Sequence, residues 1–470
     1  MNSDSARPVW PLVVIAVAAI AIYLYTSIEV RRPEVADAPP RGGRAEVEGL
    51  ADRDDINILF VLIDTLRAER MSAYGYERET TPFLDRLAKT GIRFSHHISQ
   101  SSWTKSSMAS LWTSLNPLRS GVTKFNHSIS PDIRMPAEVL KDAGFKTVGL
   151  YRNGWVHGYF GFDQGFEKYY RPHGVRRRSE VWQNSPNAES RGSDEELITD
   201  AIEFLRIHGD TSRWFLYLHL MDLHEYTYDE ESAIFGNTVS DLYDNSLLRT
   251  DWVVSRIHEY LDERDLLKKT MIVVLSDHGE AFGERGFEGH ARTVFPETTE
   301  TPLLISLPFE LDQPLIVSSR TANVDVWPTL LDLLGLLEDD ERDGVSRRSE
   351  ILAAAEGGDQ GAEGDGDLAV AFLDENWGKP GTGLKAAISV LEGPYRYVAG
   401  TDFSGFDFEV LLSTDETVAG DLMLEQPEVA ERLRAAAQEQ LEKTALFEAG
   451  TYELDEMQLD QLRALGYKLP

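Results

Sequence analysis

Short unbroken apolar runs recur along this chain, separated by longer stretches in which apolar residues return every three or four positions. Residues 56–63 (INILFVLI), 146–150, 214–219 and 271–275 have the length and branched or aromatic content of strands buried on both faces. Residues 82–89, 194–208 and 242–263 carry the helical period. Their alternation from residue 55 to about 337 predicts an α/β domain with a mostly parallel sheet covered by helices on both sides. Farther on, residues 368–373, 386–391 and 395–399 read as strands and 427–443 as a helix, so 368–470 is expected to form a small α+β carboxyl-terminal subdomain. There is no internal repeat.

Two segments break the pattern. Residues 9–28 carry no charge, and twenty residues suffice to cross a hydrocarbon core of about 30 Å as a helix. Residues 1–32 are therefore expected to be an uncleaved single-pass anchor in a lipid bilayer, with Trp10, Tyr23 and Tyr25 suited to its interfaces. The small residues at 16–21 leave a cleaved secretory signal as the other reading. The catalytic part is expected outside the cytoplasm; Arg31, Arg32, Arg41 and Arg44 after the span would put it in the cytoplasm by the positive-inside tendency, but long domains can translocate regardless of such charges. Residues 33–54, with Pro39-Pro40-Arg-Gly-Gly43, read as a flexible tether. Residues 338–367 read as a solvated acidic, glycine-rich loop whose spacing does not fit an EF-hand.

Charge and cysteine content narrow the function. A formal net charge of -33 argues against non-specific nucleic-acid binding, which requires Lys and Arg to neutralise phosphates. With no cysteines, disulfides, thiolate metal sites and a cysteine nucleophile are all excluded. The 42% hydrophobic content is ample for a large core.

Chemistry concentrates where strands end. The first apolar run meets Asp64, and the run over 271–275 meets Asp277-His278-Gly279 after Ser276. Ligands of open α/β sheets bind outside the carboxyl ends of strands, so Asp64, Asp277 and His278 are expected to converge. Two carboxylates and an imidazole suit a divalent metal. Between them, Met108, Leu111, Trp112 and Leu115 mark one buried helix face, which puts the Ser/Thr cluster over 99–107 at a helix amino terminus. Such a terminus favours an anion, and a hydroxyl there is placed to attack a phosphate or sulfate ester. The same hydroxyls also serve as ordinary caps.

Several segments, in order, resemble the sulfatase family of the alkaline phosphatase superfamily. They are residues 57–76 and 80–88, 110–122 (SLWTSLNPLRSGV), 218–224 (LHLMDLH), 276–284 (SDHGEAFGE), Gly289-His290, 325–332 and 462–467. The resemblance implies an alkaline-phosphatase-like fold and places Thr104 at the nucleophile position. Sulfatases carry Cys or Ser there, within Cys/Ser-x-Pro-x-Arg, as the formylglycine precursor. Here the motif reads Thr104-Lys105-Ser106-Ser107-Met108, and threonine is no such precursor.

A plain alkoxide intermediate must be cleared by water or another acceptor, so Thr104 argues for phosphoryl chemistry. Relatives with threonine there include phosphodiesterase-like hydrolases and phosphoglycerol or phosphoethanolamine transferases, often membrane-anchored. The resemblance further implies that Asp64, Thr104, Asp277 and His278 hold a divalent metal. Thr65 stands in place of a second acid and His278 in place of a common Asn, which favours manganese, zinc or magnesium over calcium. His224 and His290 are implied to face the substrate, or else to join Asp222 in a second metal site. Asn153 and Lys105 are the candidates to hold a non-bridging oxygen, Asn153 being otherwise a turn residue. The expected function is hydrolysis of phosphate mono- or diesters through a covalent threonine intermediate. Alternatives are sulfate-ester hydrolysis, headgroup transfer and a non-catalytic scaffold.

Overall fold

The apolar runs become the middle of one eight-stranded sheet in the computed structural model, which describes residues 40–172, 193–357, 368–402, 404–415 and 417–463. In chain order its strands are β1 (Asn57–Ile63), β2 (Ile92–Ile98), β3 (Lys146–Tyr151), β4 (Lys168–Tyr170), β5 (Trp214–Leu220), β6 (Thr270–Leu275), β7 (Leu303–Ser306) and β8 (Leu315–Ala322). They lie in the order β8-β2-β7-β6-β1-β5-β3-β4. All neighbours run parallel except β7, which is antiparallel to both β6 and β2. This is the mostly parallel α/β sheet expected from the sequence.

Strand β1 shows why such runs lack alternation. Ile58, Phe60 and Leu62 enter one core and Leu59, Val61 and Ile63 the other, so both faces are apolar. The first core includes Met108, Leu111 and Trp112 of α2 (Thr104–Thr113) and Trp327 of α5 (Asn323–Leu333). Phe60 stacks on Trp327 at 5.0 Å, and Trp112 stacks on the same Trp327 ring at 5.2 Å, which fixes α2 against the sheet. The opposite face is covered by α1 (Pro82–Thr90), α3 (Asp194–His208) and α4 (Val239–Glu263). Ser193 and Thr238 begin α3 and α4 as side-chain caps.

The carboxyl-terminal subdomain is an antiparallel sheet of β9 (Ala369–Asp374), β10 (Ala386–Glu392), β11 (Tyr395–Thr401) and β12 (Asp407–Ser413). Ala430, Leu433 and Ala437 of α7 (Pro427–Leu441) pack on Val390, Tyr397 and Leu411. The subdomain braces the main sheet: Phe372 N donates to Gln100 O at 2.8 Å, just before α2. Arg396, 1% exposed, donates to Thr299 Oγ1 at 2.8 Å and Glu300 Oε1 at 2.7 Å.

Three expectations change. From residue 40 the supposed tether is folded: a helix spans Arg44–Glu48, and Val47 and Leu50 are fully buried in the main core. The acidic segment contains α6 (Arg348–Ala355), anchored by buried Ile351. Strand β12 was not among the expected strands, and its half-exposed edge position explains why it lacks a continuous apolar run. The anchor over 9–28 lies outside the described residues, as do 358–367 of the acidic segment. Among the described residues, no helix is long and apolar enough to cross a membrane.

Candidate active site

Parallel pairing brings the predicted site together. In register, Ile63 of β1 faces Leu220 of β5, and Leu62 faces Leu275 of β6. Asp64, His219 and the 276–278 turn thus meet at one edge of the sheet. Asp64 N donates to Leu220 O at 3.2 Å, and Leu66 N donates to Ser276 Oγ at 2.8 Å. Thr65 adopts φ 63°, a left-handed conformation uncommon for a non-glycine residue, and its amide donates to Asp277 Oδ1 at 3.3 Å. Gly279 is required by close approach: a Cβ there would stand 2.3 Å from Glu297 O.

Thr104 is the first residue of α2 and is wholly buried. Its hydroxyl lies 3.0 Å from His278 Nε2 and accepts from Asn153 Nδ2 at 3.3 Å. His278 Nδ1 faces the Gly279 carbonyl at 2.9 Å, so it carries the proton and Nε2 presents a lone pair. Nε2 is 3.3 Å from Asp277 Oδ2 and 4.0 Å from Asp64 Oδ1. Both of those carboxylate oxygens are buried and lack a hydrogen-bond partner. Burial and the Asp64 charge push the Asp277 carboxyl up. Burial also opposes ionisation of Asp64, but the His219 hydrogen bond and the neighbouring imidazoles hold its pKa below the usual carboxylate range.

The bare oxygens, the imidazole lone pair and the hydroxyl form a donor set that fits a divalent cation. Asp64, Thr104, Asp277 and His278 are brought together as expected.

His219, absent from the sequence-derived set, has a ring nitrogen within 4.8 Å of carboxylate oxygens of Asp64 and Asp277, a spacing that could share a cation. Its Nε2 is 3.0 Å from Asp64 Oδ2 and its Nδ1 is 2.7 Å from Tyr217 OH. The signal was a polar residue near the end of an otherwise apolar strand, beside the strand that delivers Asp64.

His224 and His290 join the same cluster, with ring centroids 4.9 Å apart and His290 stacked on His278 at 4.6 Å. Burial pushes the His224 pKa down. Burial also opposes charge on His290, yet Glu280 Oε2, 3.0 Å from Nδ1, together with Asp64 and Asp277, raises its pKa. Glu280 was legible in the motif over 276–284 but had no assigned role. Asp222 does not join the histidines. It pairs with Arg152 at 2.5 Å, alongside Asp194 at 2.7 Å and Glu225 at 2.8 Å on the same guanidinium. The second metal site is corrected accordingly.

Both expected oxygen-holding residues are otherwise engaged. The Asn153 amide nitrogen donates to Asp64 Oδ2 at 2.6 Å as well as to Thr104, and its Oδ1 caps Trp155 N at 2.8 Å. It is therefore a brace between Thr104 and Asp64. Lys105 Nζ donates to Phe125 O at 2.7 Å and sits 3.3 Å from the Phe160 ring centroid. Burial pushes its pKa well down, and its contacts are with this aromatic box.

Residues 56–336 match the sulfatase family. The chain is 20% identical to the steryl-sulfatase of Rattus norvegicus, over 59% of this chain and 67% of that enzyme. It is 24% identical to a phosphoethanolamine transferase of Helicobacter pylori, over 57% of this chain and 51% of the transferase. The phosphonate monoester hydrolase of Agrobacterium radiobacter shares the fold at 18% identity and a TM-score of 0.62, covering 85% of this chain and 100% of that one.

Proposed function

The chain belongs to the sulfatase family, and from that premise we propose that this ester hydrolase acts on phosphate mono- or diesters through Thr104. The observation that carries the reading is the Thr104 hydroxyl itself, which stands 3.0 Å from His278 Nε2 at a buried helix amino terminus. A threonine there has no route to formylglycine, so attack is by the hydroxyl oxygen.

Asp64, Asp277, His278 and Thr104 would hold a divalent cation. When bound, that cation supplies Lewis acidity that favours the ionised hydroxyl and offsets charge on the ester. The bond from Thr104 Oγ1 to phosphorus forms as the bond from phosphorus to the ester oxygen breaks. His290, whose pKa Glu280 raises against the effect of burial, is the group that gives a proton to that oxygen. Water then attacks the phospho-threonine and gives one proton to His290, releasing phosphate and the ionised Thr104, the form in which it attacked after its hydroxyl proton had passed to solvent. Amides at the start of α2 are placed to receive the non-bridging oxygens.

Similarity to the rat steryl-sulfatase supports a second reading, sulfate-ester hydrolysis. Similarity to the Helicobacter transferase supports a third, in which an alcohol replaces water as acceptor. The uncharged run over 9–28 supports a single-pass anchor that holds the enzyme at a bilayer, and our reading puts the catalytic part outside the cytoplasm, since long domains can translocate regardless of flanking charge.

The test is turnover by the detergent-purified full chain of p-nitrophenyl phosphate, its diester and p-nitrophenyl sulfate, each with added Mn²⁺, Zn²⁺, Mg²⁺ or Ca²⁺. Phosphate-ester turnover is expected, lowered at least about a thousandfold in Thr104→Ala. Sulfate turnover that survives Thr104→Ala would sink the threonine mechanism.

A further inference from the structure

Asp64 is treated asymmetrically by its surroundings. Oδ2 receives Asn153 Nδ2 at 2.6 Å and faces His219 Nε2 at 3.0 Å, whereas Oδ1 is buried and bare. The protons on the imidazole can be located by elimination. A carboxylate oxygen only accepts, so the ring nitrogen facing Asp64 must carry hydrogen. In the neutral ring, Nδ1 is then an acceptor, and the hydrogen between Nδ1 and Tyr217, 2.7 Å apart, belongs to the phenol. Tyr217 is equipped to keep it, because burial, then the Asp277 and Asp64 charges, push its pKa well up. The phenol is held by Phe60, Trp112 and Phe166 at ring-centroid distances of 6.1, 5.0 and 6.2 Å. Asp64, His219 and Tyr217 are each fully buried.

We propose that Tyr217 and His219 are positioning residues for the metal ligand Asp64: the Tyr217 hydroxyl fixes the imidazole tautomer, and His219 Nε2–H occupies Oδ2 so that Oδ1 faces the cation. This rests on the metal site proposed above. It also assigns His219 a place outside the ligand shell, although its nitrogen lies within 4.8 Å of oxygens of both carboxylates. The arrangement suits a site with Thr65 where a second acid would stand, since Asp64 then has no adjacent carboxylate to share the cation. Partners that orient a ligand in this way typically contribute about 10- to 100-fold in metal affinity.

The experiment titrates the EDTA-stripped, full-length protein with Mn²⁺ by calorimetry and records the visible spectrum of the Co²⁺-loaded form. Wild type is compared with His219→Gln, His219→Ala and Tyr217→Phe. Gln can replace the Nε2 donor, so H219Q is expected to bind Mn²⁺ within about threefold of wild type and to keep its Co²⁺ spectrum. H219A is expected to bind about 10- to 100-fold more weakly, and Y217F to fall between the two. H219A binding like wild type would overturn the proposal. H219Q as weak as H219A, with an altered Co²⁺ spectrum, would make Nε2 a ligand and overturn it as well. Y217F binding like wild type would overturn the role given to the phenol. If H219A does not fold, H219Q and Y217F carry the test. Wild type that takes up neither Mn²⁺ nor Zn²⁺ would reject the metal site itself, an outcome separate from those of the variants.

Discussion

Arg152 is 4% exposed and donates to three carboxylates, those of Asp194, Asp222 and Glu225. The same Asp194 carboxylate accepts from Met221 N and Asp222 N, the turn that leads from β5 to His224. Removing one partner from a buried ionic group leaves uncompensated charge and typically costs about 3–5 kcal/mol. Arg152→Met is accordingly expected to lower unfolding stability by about that amount in urea titrations, with loss of activity even before unfolding as His224 shifts. Stability within about 0.5 kcal/mol of wild type would contradict this role. Thr104→Ser keeps the hydroxyl, its contact with His278 and its place at the start of α2. It is expected to retain phosphate-ester turnover within about tenfold of wild type, whereas Thr104→Ala does not. Equal loss in both would mean that the hydroxyl is not the attacking group.

Between elements, buried polar contacts do what apolar packing cannot: they fix register and direction. His97 on β2 places Nδ1 2.8 Å from Thr321 of β8 and Nε2 2.8 Å from Asn323 of α5. Asn323 in turn donates to Ser107 of α2 at 3.4 Å and to Ser276 O at 3.3 Å, so this histidine is linked to both halves of the site. Burial lowers the His97 pKa to about 4 from 6.5. A histidine depressed in the folded state contributes stability that is present above pH 6.5 and lost as the pH falls through about 4. That contribution is at most about 3 kcal/mol. The pH dependence of Tm is therefore expected to flatten over that window in His97→Gln, and equal slopes in the two proteins would refute it. Elements like these were legible to different degrees. Strands β1, β5 and β6 announced themselves because both faces are buried, and the aspartates that end two of them marked the site. His219 stayed hidden because, at the end of an apolar run, a polar residue resembles a strand boundary until the neighbouring strand is known. The helix over Arg44–Glu48 was missed because two buried apolar residues, Val47 and Leu50, were outweighed by the surrounding charge. The alternative that joined Asp222 to the histidines could not be closed from sequence, because its partner, Arg152, comes from another strand end seventy residues away.

At the scale of the whole molecule, the site joins parts of the fold that are distant in sequence, and the carboxyl-terminal sheet supports them from outside. Its contact with Gln100 immediately precedes the segment that carries Thr104, and Arg396 holds the segment that follows His290. Binding confined to the native state raises stability by mass action, about 2.7 kcal/mol at a hundredfold excess over the dissociation constant. EDTA treatment is thus expected to lower Tm by a few degrees, and Mn²⁺ or Zn²⁺ to restore it. A Tm indifferent to both would argue against the ligand set. The register that brings Asp64 beside Asp277 has a further consequence, in the timing of synthesis. Strand β1 leaves the ribosome early, but its partner β6 is complete only after residue 275. A nascent chain that has made β1, α2 and β5 still lacks half the carboxylates of the site. A cation that needs both carboxylates would therefore bind only after residue 277 has been made, and a chain that stalls before it offers an incomplete ligand set.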